Sequence, residues 1–116
     1  MRKTAVFRDS LFLDHDPGFD HVESPERLKV IYEVLDRPGI KESFLYPEFE
    51  PAPHKILALN HSKALINRVS ETACKIFDSL DPDTKTSPNS YAAACLAAGA
   101  LLKGVDLLME GEIDNG

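Results

Sequence analysis

The stretch 83–116, DTKTSPNSYAAACLAAGALLKGVDLLMEGEIDNG, constrains the fold more than any other part of this sequence. It reads as a turn, a helix start at Ser87-Pro88, about six turns of helix, a stop at Gly111 and the approach to a further segment. The first half of that helix is built from Ala92, Ala93, Ala94, Ala97, Ala98, Gly99 and Ala100, so it carries little bulk and is apolar nearly all the way round. Helices of that kind are usually buried, and small residues let another backbone lie close against them. Its main stripe is expected at Tyr91, Cys95, Ala98, Leu102, Val105 and Met109. Such an element needs neighbours on more than one side.

The rest of the chain offers few neighbours. Residues 4–8 (TAVFR) are rich in strand formers and read as a first strand, followed by a loop over 11–23 with a Pro17-Gly18 turn. Ser24-Pro25-Glu26 then opens a helix: a hydroxyl to accept an orphan N–H, a proline at N1, and an acid at the positive end of the dipole. Leu28, Ile31, Tyr32 and Leu35 give it one apolar stripe, and Pro38-Gly39 stops it. Residues 43–49 (SFLYPEF) read as a second strand, and 56–59 as one or two helical turns. Ser62 caps a third helix, expected to carry Leu65, Val69, Ala73, Ile76 and Leu80 on one face and to end at Asp81-Pro82. Strand, helix, strand, then helices is the order of a parallel α/β sheet. Parallel sheets are covered on both faces and have several strands. Two short strands cannot bury the stripes of these helices, so the sheet is expected to be a truncated one.

With 116 residues, 43% of them hydrophobic, the chain amounts to one domain or a piece of one. The net charge of −6, with no run of lysine or arginine, argues against non-specific nucleic-acid binding. No unbroken apolar run reaches the length of a membrane span, and residues 1–9 do not form a signal peptide, so a soluble cytoplasmic protein is expected. Cys74 and Cys95 fall within helical patterns and read as free thiols in a reducing compartment.

One cluster invites a metal: Asp14, His15, Asp16, Asp20, His21 and Glu23. The spacing fails an EF-hand, since counting from Asp14 puts Gly18 at position 5 and Phe19 at position 6. A Pro-Gly loop also lacks the regular support that zinc ligands receive. Three readings stay open for this loop: a metal site, a solvated polar loop, or one wall of a site completed elsewhere. His54 and His61 read as capping or surface histidines. No Ser-His-Asp arrangement and no phosphate-binding glycine loop stands out.

Three stretches together are similar to a known family. His21-Val22-Glu23-Ser24-Pro25-Glu26-Arg27-Leu28 resembles the His-Pro-Glu-x-Pro-x-Arg-Leu segment of histone deacetylase-family enzymes, a group that includes class II deacetylases and acetylpolyamine amidohydrolases. His61-Ser62 resembles their His-Ser-x-x-Tyr segment. Asp83-Thr84, Ser87, Tyr91-Ala92-Ala93 and Ala97-Ala98-Gly99-Ala100 resemble their Asp-Thr helix segment, with 110–116 leading into the next strand. Val22 replaces the usual proline, and Lys63-Ala64-Leu65 departs from Pro-Glu-Tyr.

The resemblance implies an arginase/deacetylase-like three-layer α/β/α fold with a parallel sheet. Residues 1–116 would be the N-terminal portion of a single catalytic domain, with about two strands and three to four helices. It also implies a zinc-dependent amide hydrolase acting on acetyl-lysine in peptides, acetylated polyamines or another small amide. The zinc ligands, the histidine pair and the oxyanion tyrosine would all lie beyond this stretch, so no catalytic or metal-binding residue is expected in the chain, and the chain alone would bind no catalytic zinc and be inactive.

By resemblance, Asp83 is the rim aspartate that accepts peptide N–H groups, and His21 and Glu23 face the same rim. Arg27 lies near the internal channel that releases acetate. The plainer alternatives are a turn aspartate for Asp83 and, for Arg27, a surface pair with Glu23 worth at most about 0.5 kcal/mol. Uncovered faces would make the piece self-associate. The rival reading is a small non-catalytic α/β interaction or oligomerisation module.

Overall fold

Ser24 and Ser62 start their helices as their chemistry dictates. The Ser24 hydroxyl accepts the Glu26 N–H ahead of α1 (Pro25–Leu35), with Pro25 in the first turn. The Ser62 hydroxyl accepts the Leu65 N–H ahead of α3 (Lys63–Ser70). Between them lies the short α2 (His54–Leu57). The structure, a computed structural model describing residues 1–116, closes with the long α4 (Ser90–Met109). The four helices agree with the expected number.

The parallel sheet is present only as its seed. The Ala5 N–H donates to the Asn115 carbonyl at 2.9 Å and the Val6 N–H to the Leu45 carbonyl at 2.8 Å. Leu45 N–H returns a bond to Thr4 O at 2.9 Å, and both bridges, Thr4 to Asn115 and Ala5 to Leu45, run parallel. Residues 4–6 therefore lie between the segments around 45 and 115. The expected strands 4–8 and 43–49 contract to these bridges. One cause is Pro47, which has no N–H to carry the ladder beyond Tyr46. Ala5, Leu107 and Ile113, joined by Phe7, form the small core beneath the seed. Phe7, Phe49 and Phe12 continue it as one edge-on and one stacked ring pair.

The expected helix over 62–80 is corrected by the structure: α3 ends at Ser70 and an antiparallel hairpin follows, β1 (Asp78–Asp81) with β2 (Thr84–Thr86). Short-range polar side-chain bonds, together with contacts from Arg68 and from Pro88 O, replace the helical ladder here. An Asp78 carboxylate oxygen takes the Ser79 N–H at 2.7 Å, and Asp81 takes the Asp83 N–H at 2.9 Å. Arg68, on α3, reaches across to the Asp78 carboxylate and the Ser79 carbonyl. Cys74 is not helical either. It sits exposed at φ 63, its N–H donating to Pro88 O.

Two further expectations about α4 are revised. Its helix begins at Ser90 rather than at Ser87-Pro88, because Ser87 to Ser90 first close a turn: Ser90 N–H donates to Ser87 O, and Ser90 Oγ accepts the Ser87 N–H. Its buried face is Ala93, Leu96, Gly99, Ala100 and Leu107, whereas Leu102, Val105 and Met109 of the expected stripe are exposed. The reason is a crossing chain. The Glu50–Ala52 backbone runs over Gly99, and Ala52 N–H donates to the Cys95 carbonyl, a bond that needs the small-residue side of the helix. Taken as a whole, α4 is also long and apolar enough to cross a membrane, contrary to the expectation from unbroken runs, because Lys103 and Asp106 interrupt an otherwise apolar 20 residues. A core helix of a soluble protein meets the same measure.

The accessible surface is 8058 Å², against roughly 6,300 Å² for a folded monomer of this mass. The radius of gyration is 15.9 Å, against about 13.4 Å for a chain of this length. The excess is apolar in large part: Val30, Ile31, Leu101, Leu102, Val105 and Leu108 all face outward.

Candidate functional site

The residues singled out in the first loop converge on the hairpin tip and the start of α4. Two anchors hold the loop. At its beginning, Arg8 lies 4.3 Å over the Tyr32 ring and forks onto the Asp36 carboxylate, while the Tyr32 hydroxyl donates to Asp9 O. At its middle, the Ser87 hydroxyl donates to Asp14 O and accepts the Asp16 N–H. Asn89 adds a bond to the Asp14 carboxylate. These contacts pin the loop across some seventy residues of sequence. Sequence reasoning missed them. The available signal was weak: serines three apart ahead of an apolar run, the spacing of a capping box.

His15, Ser90 and Glu23 form a Ser-His-acid line that no reading of the sequence anticipated. His15 Nδ1 lies 2.7 Å from Ser90 Oγ, and its Nε2 lies 3.5 Å from a Glu23 carboxylate oxygen. This serine is not a nucleophile. Ser90 is buried, and its Oγ already meets the Ser87 N–H, the Ser87 hydroxyl and the imidazole, which completes the tetrahedral complement of a hydroxyl oxygen. The trio clamps the loop to the helix.

His21 reaches the hairpin tip. Its Nδ1 accepts the Glu23 N–H at 3.0 Å, and its Nε2 lies 3.1 Å from Asp83 O and 3.6 Å from the Asp83 carboxylate. The Asp83 side chain is fully exposed, and that of Glu23 is mostly so. Arg27 is exposed on the first turn of α1 and makes no ion pair. The Glu23–Arg27 pair considered above does not form, since Glu23 lies outside the helix and turns towards His15. The structure thus gathers His21, Glu23 and Asp83 at one place and leaves Arg27 on the helix behind them.

Behind the clamp, residues 6–8, α1, the hairpin and α4 enclose a mainly apolar groove of about 620 Å³. His15 and Ser90 stand at its polar end together with Thr86, whose buried hydroxyl has no partner. On the far side of α4, His54 Nε2 lies 2.9 Å from the Tyr91 hydroxyl. Burial, and then the neighbouring Cys95, push the Tyr91 phenol above its ordinary value. His61 is exposed.

No three His, Cys, Asp or Glu side chains come close enough to hold a metal ion. Five of the six candidate donors of the first loop have other work, Asp20 alone having none: His15 on Ser90, Asp14 on Asn89, Asp16 on the Gly18 N–H, His21 on Asp83 and Glu23 on His15. The residues present do not fit a catalytic zinc.

An α/β layer seeded by parallel bridges, with an acid-tipped hairpin and a clamped loop on one rim, defines the class of the chain: part of a deacetylase-like α/β fold. Residues 21–116 match the histone deacetylase domain, and the chain belongs to that family. It is 32% identical to histone deacetylase 5 of Arabidopsis thaliana over 99% of its own length and 19% of the relative's. It is 28% identical to a histone deacetylase-like amidohydrolase of Pseudomonas aeruginosa, covering 98% of this chain and 34% of that protein. It is 33% identical to the polyamine deacetylase HDAC10 of Danio rerio, covering 87% and 16%. All of the chain superimposes on 34% of the crystal structure of the HDA15 HD domain, with a TM-score of 0.90 at 26% identity. The chain therefore spans between 16% and 34% of the length of these relatives.

Proposed function

We propose that residues 1–116 are the N-terminal portion of a zinc-dependent deacetylase domain, and that the whole protein removes acetyl groups from acetyl-lysine in peptides or from acetylated polyamines. Asp83 carries this reading. Its carboxylate is fully exposed at the tip of the β1–β2 hairpin, 3.6 Å from His21 Nε2, while its backbone is engaged on both sides, as suits a group that receives the N–H donors of an arriving substrate. Glu23 and His21 stand beside it on the same rim. Arg27, free of any ion pair, serves the product channel behind. In such a hydrolase zinc supplies a polarised carbonyl and an activated water. This chain holds no residue set for that ion, and no step is assigned to its side chains beyond substrate placement. The chain alone is accordingly inactive.

The test compares two proteins, the isolated chain and the full-length protein that carries it, on an acetyl-lysine peptide and on N-acetylated spermidine, with and without a zinc chelator. Chelator-sensitive turnover by the full-length protein alone supports the reading. Zinc-dependent turnover by the isolated chain, or none by the full-length protein on any acetylated amine, refutes it.

A second reading, an interaction module, draws on the exposed apolar side of α4, where Leu101, Leu102, Val105 and Leu108 face outward. A self-sufficient module of that kind would be a monodisperse monomer that unfolds in one cooperative transition.

A further inference from the structure

We propose that His21 is a positioning residue: it acts through Asp83, holding that residue's backbone so that the carboxylate is set before substrate arrives, and it makes no substrate contact of its own. The inference rests on the deacetylase reading of Asp83 given above.

The ring's hydrogen bonds fix its protonation pattern. A backbone N–H can only donate, so the 3.0 Å bond from Glu23 N–H makes Nδ1 the acceptor and places the proton on Nε2. That Nε2–H then donates to the Asp83 carbonyl, 62 residues away in sequence, at 3.1 Å. Both ring nitrogens are spent on backbone groups, and only 18% of the side chain is exposed. Little of the imidazole is left to meet a ligand.

Asp83 shows the complementary pattern. Its N–H donates to the Asp81 carboxylate at 2.9 Å and its carbonyl receives the His21 proton, so both backbone polar groups are tied. The carboxylate, by contrast, is 100% exposed. A hairpin tip held only from its N–H side would lose the remaining freedom of its backbone when substrate binds, and that ordering cost is taken out of affinity. The His21 bond removes that cost in advance. Its effect belongs in KM when chemistry is slow relative to substrate release, and leaves the chemical step alone.

Two measurements test this. In the full-length protein, nitrogen-15 NMR of the imidazoles, with His21 assigned by its absence in the His21→Gln variant, reads the tautomer directly. The expected result is His21 as the Nε2–H form, and a predominant Nδ1–H form or an even mixture overturns the contact. In the full-length protein, His21→Phe is expected to raise KM for an acetyl-lysine peptide by about tenfold, the scale of ordering one backbone residue, with kcat within about twofold. His21→Gln, whose amide N–H reaches the Nε2 position, should recover most of that loss. Should His21→Phe fail to fold, His21→Asn takes its place. It can keep the Glu23 bond and is too short for Asp83.

The decisive comparison is a double-mutant cycle with Asp83→Ala. If His21 works through Asp83, the double variant is no worse than Asp83→Ala alone. Multiplying effects, or a fall in kcat at unchanged KM, overturns the proposal. Absence of any turnover by the unmutated protein sinks the deacetylase reading and the substrate role of His21 with it, whereas the tautomer result decides the contact between His21 and Asp83 separately.

Discussion

Replacing Gly99 by alanine puts one methyl group where the Glu50–Ala52 backbone already lies. A Cβ at position 99 would be 1.7 Å from Glu50 O, 2.8 Å from Glu50 C and 3.0 Å from Ala52 N. Carbon contacts settle near 3.5–4.0 Å, so the crossing segment must retreat by roughly 2 Å. That movement breaks the 2.9 Å bond from Ala52 N–H to Cys95 O. Alanine gains about 1 kcal/mol of helix propensity. Against this stand about 1–3 kcal/mol of overpacking and about 0.5–1.5 kcal/mol for the lost hydrogen bond. The net is a destabilisation of about 1–3 kcal/mol, or a Tm fall of about 4–12 °C for a chain of this length. Gly104→Ala is the control on the same helix. Its Cβ would sit 3.4 Å from the Phe7 ring, an ordinary contact, so propensity should win and Tm should rise by about 4 °C. Thermal melts at one fixed protein concentration compare the two variants. If Gly99→Ala stabilises as Gly104→Ala does, the packing of 50–52 over α4 is wrong.

Two other expectations are directly measurable. Backbone and Arg68 hydrogen bonds hold the Asp78 carboxyl down from its ordinary 3.8 to about 2. A depressed folded-state value means stability that is complete above 3.8 and lost as pH falls through about 2. The protection of the hairpin amides against hydrogen exchange, referred to the intrinsic rate at each pH, should therefore fall across that window, and Asp78→Asn should flatten the dependence; an unchanged slope in the variant refutes the assignment. The surface excess of roughly 1,800 Å² per chain over a folded monomer is about twice the roughly 800 Å² that each partner contributes to a standard protein interface. Sedimentation of the isolated chain should accordingly show dimers or larger species. A sharp monomer boundary with a cooperative melt would favour the interaction-module reading instead.

The features readable from the sequence share a short range. Ser24 and Ser62 were legible as caps because a cap is settled within three or four residues, by one hydroxyl and the N–H groups that follow it. The family was legible too, since the stretches around His21–Leu28, His61-Ser62 and Asp83–Ala100 each state a local pattern in register. The candidate site was partly legible for the same reason: His21, Glu23 and Asp83 stand out by motif, and the structure brings them together.

What misled local reasoning was decided at long range. The 3.6-residue spacing of Leu65 to Leu80 describes a helix, yet the chain turns after Ser70 because Arg68 finds Asp78 and Ser79, and Cys74 N–H finds Pro88 O. The apolar surround of α4 does not say which side faces inward. The Glu50–Ala52 backbone chooses the side, at the one position without a Cβ to exclude it. His15 reads as one more polar loop residue until Ser90 is 2.7 Å away. Sequence alone therefore determined where α1 and α3 begin and which family the chain belongs to, since those rest on neighbouring residues. Tertiary structure alone decided strand against helix after α3, the buried face of α4 and the bond from His21 to Asp83, since each depends on a hydrogen bond or close approach to a group that the local chain does not contain.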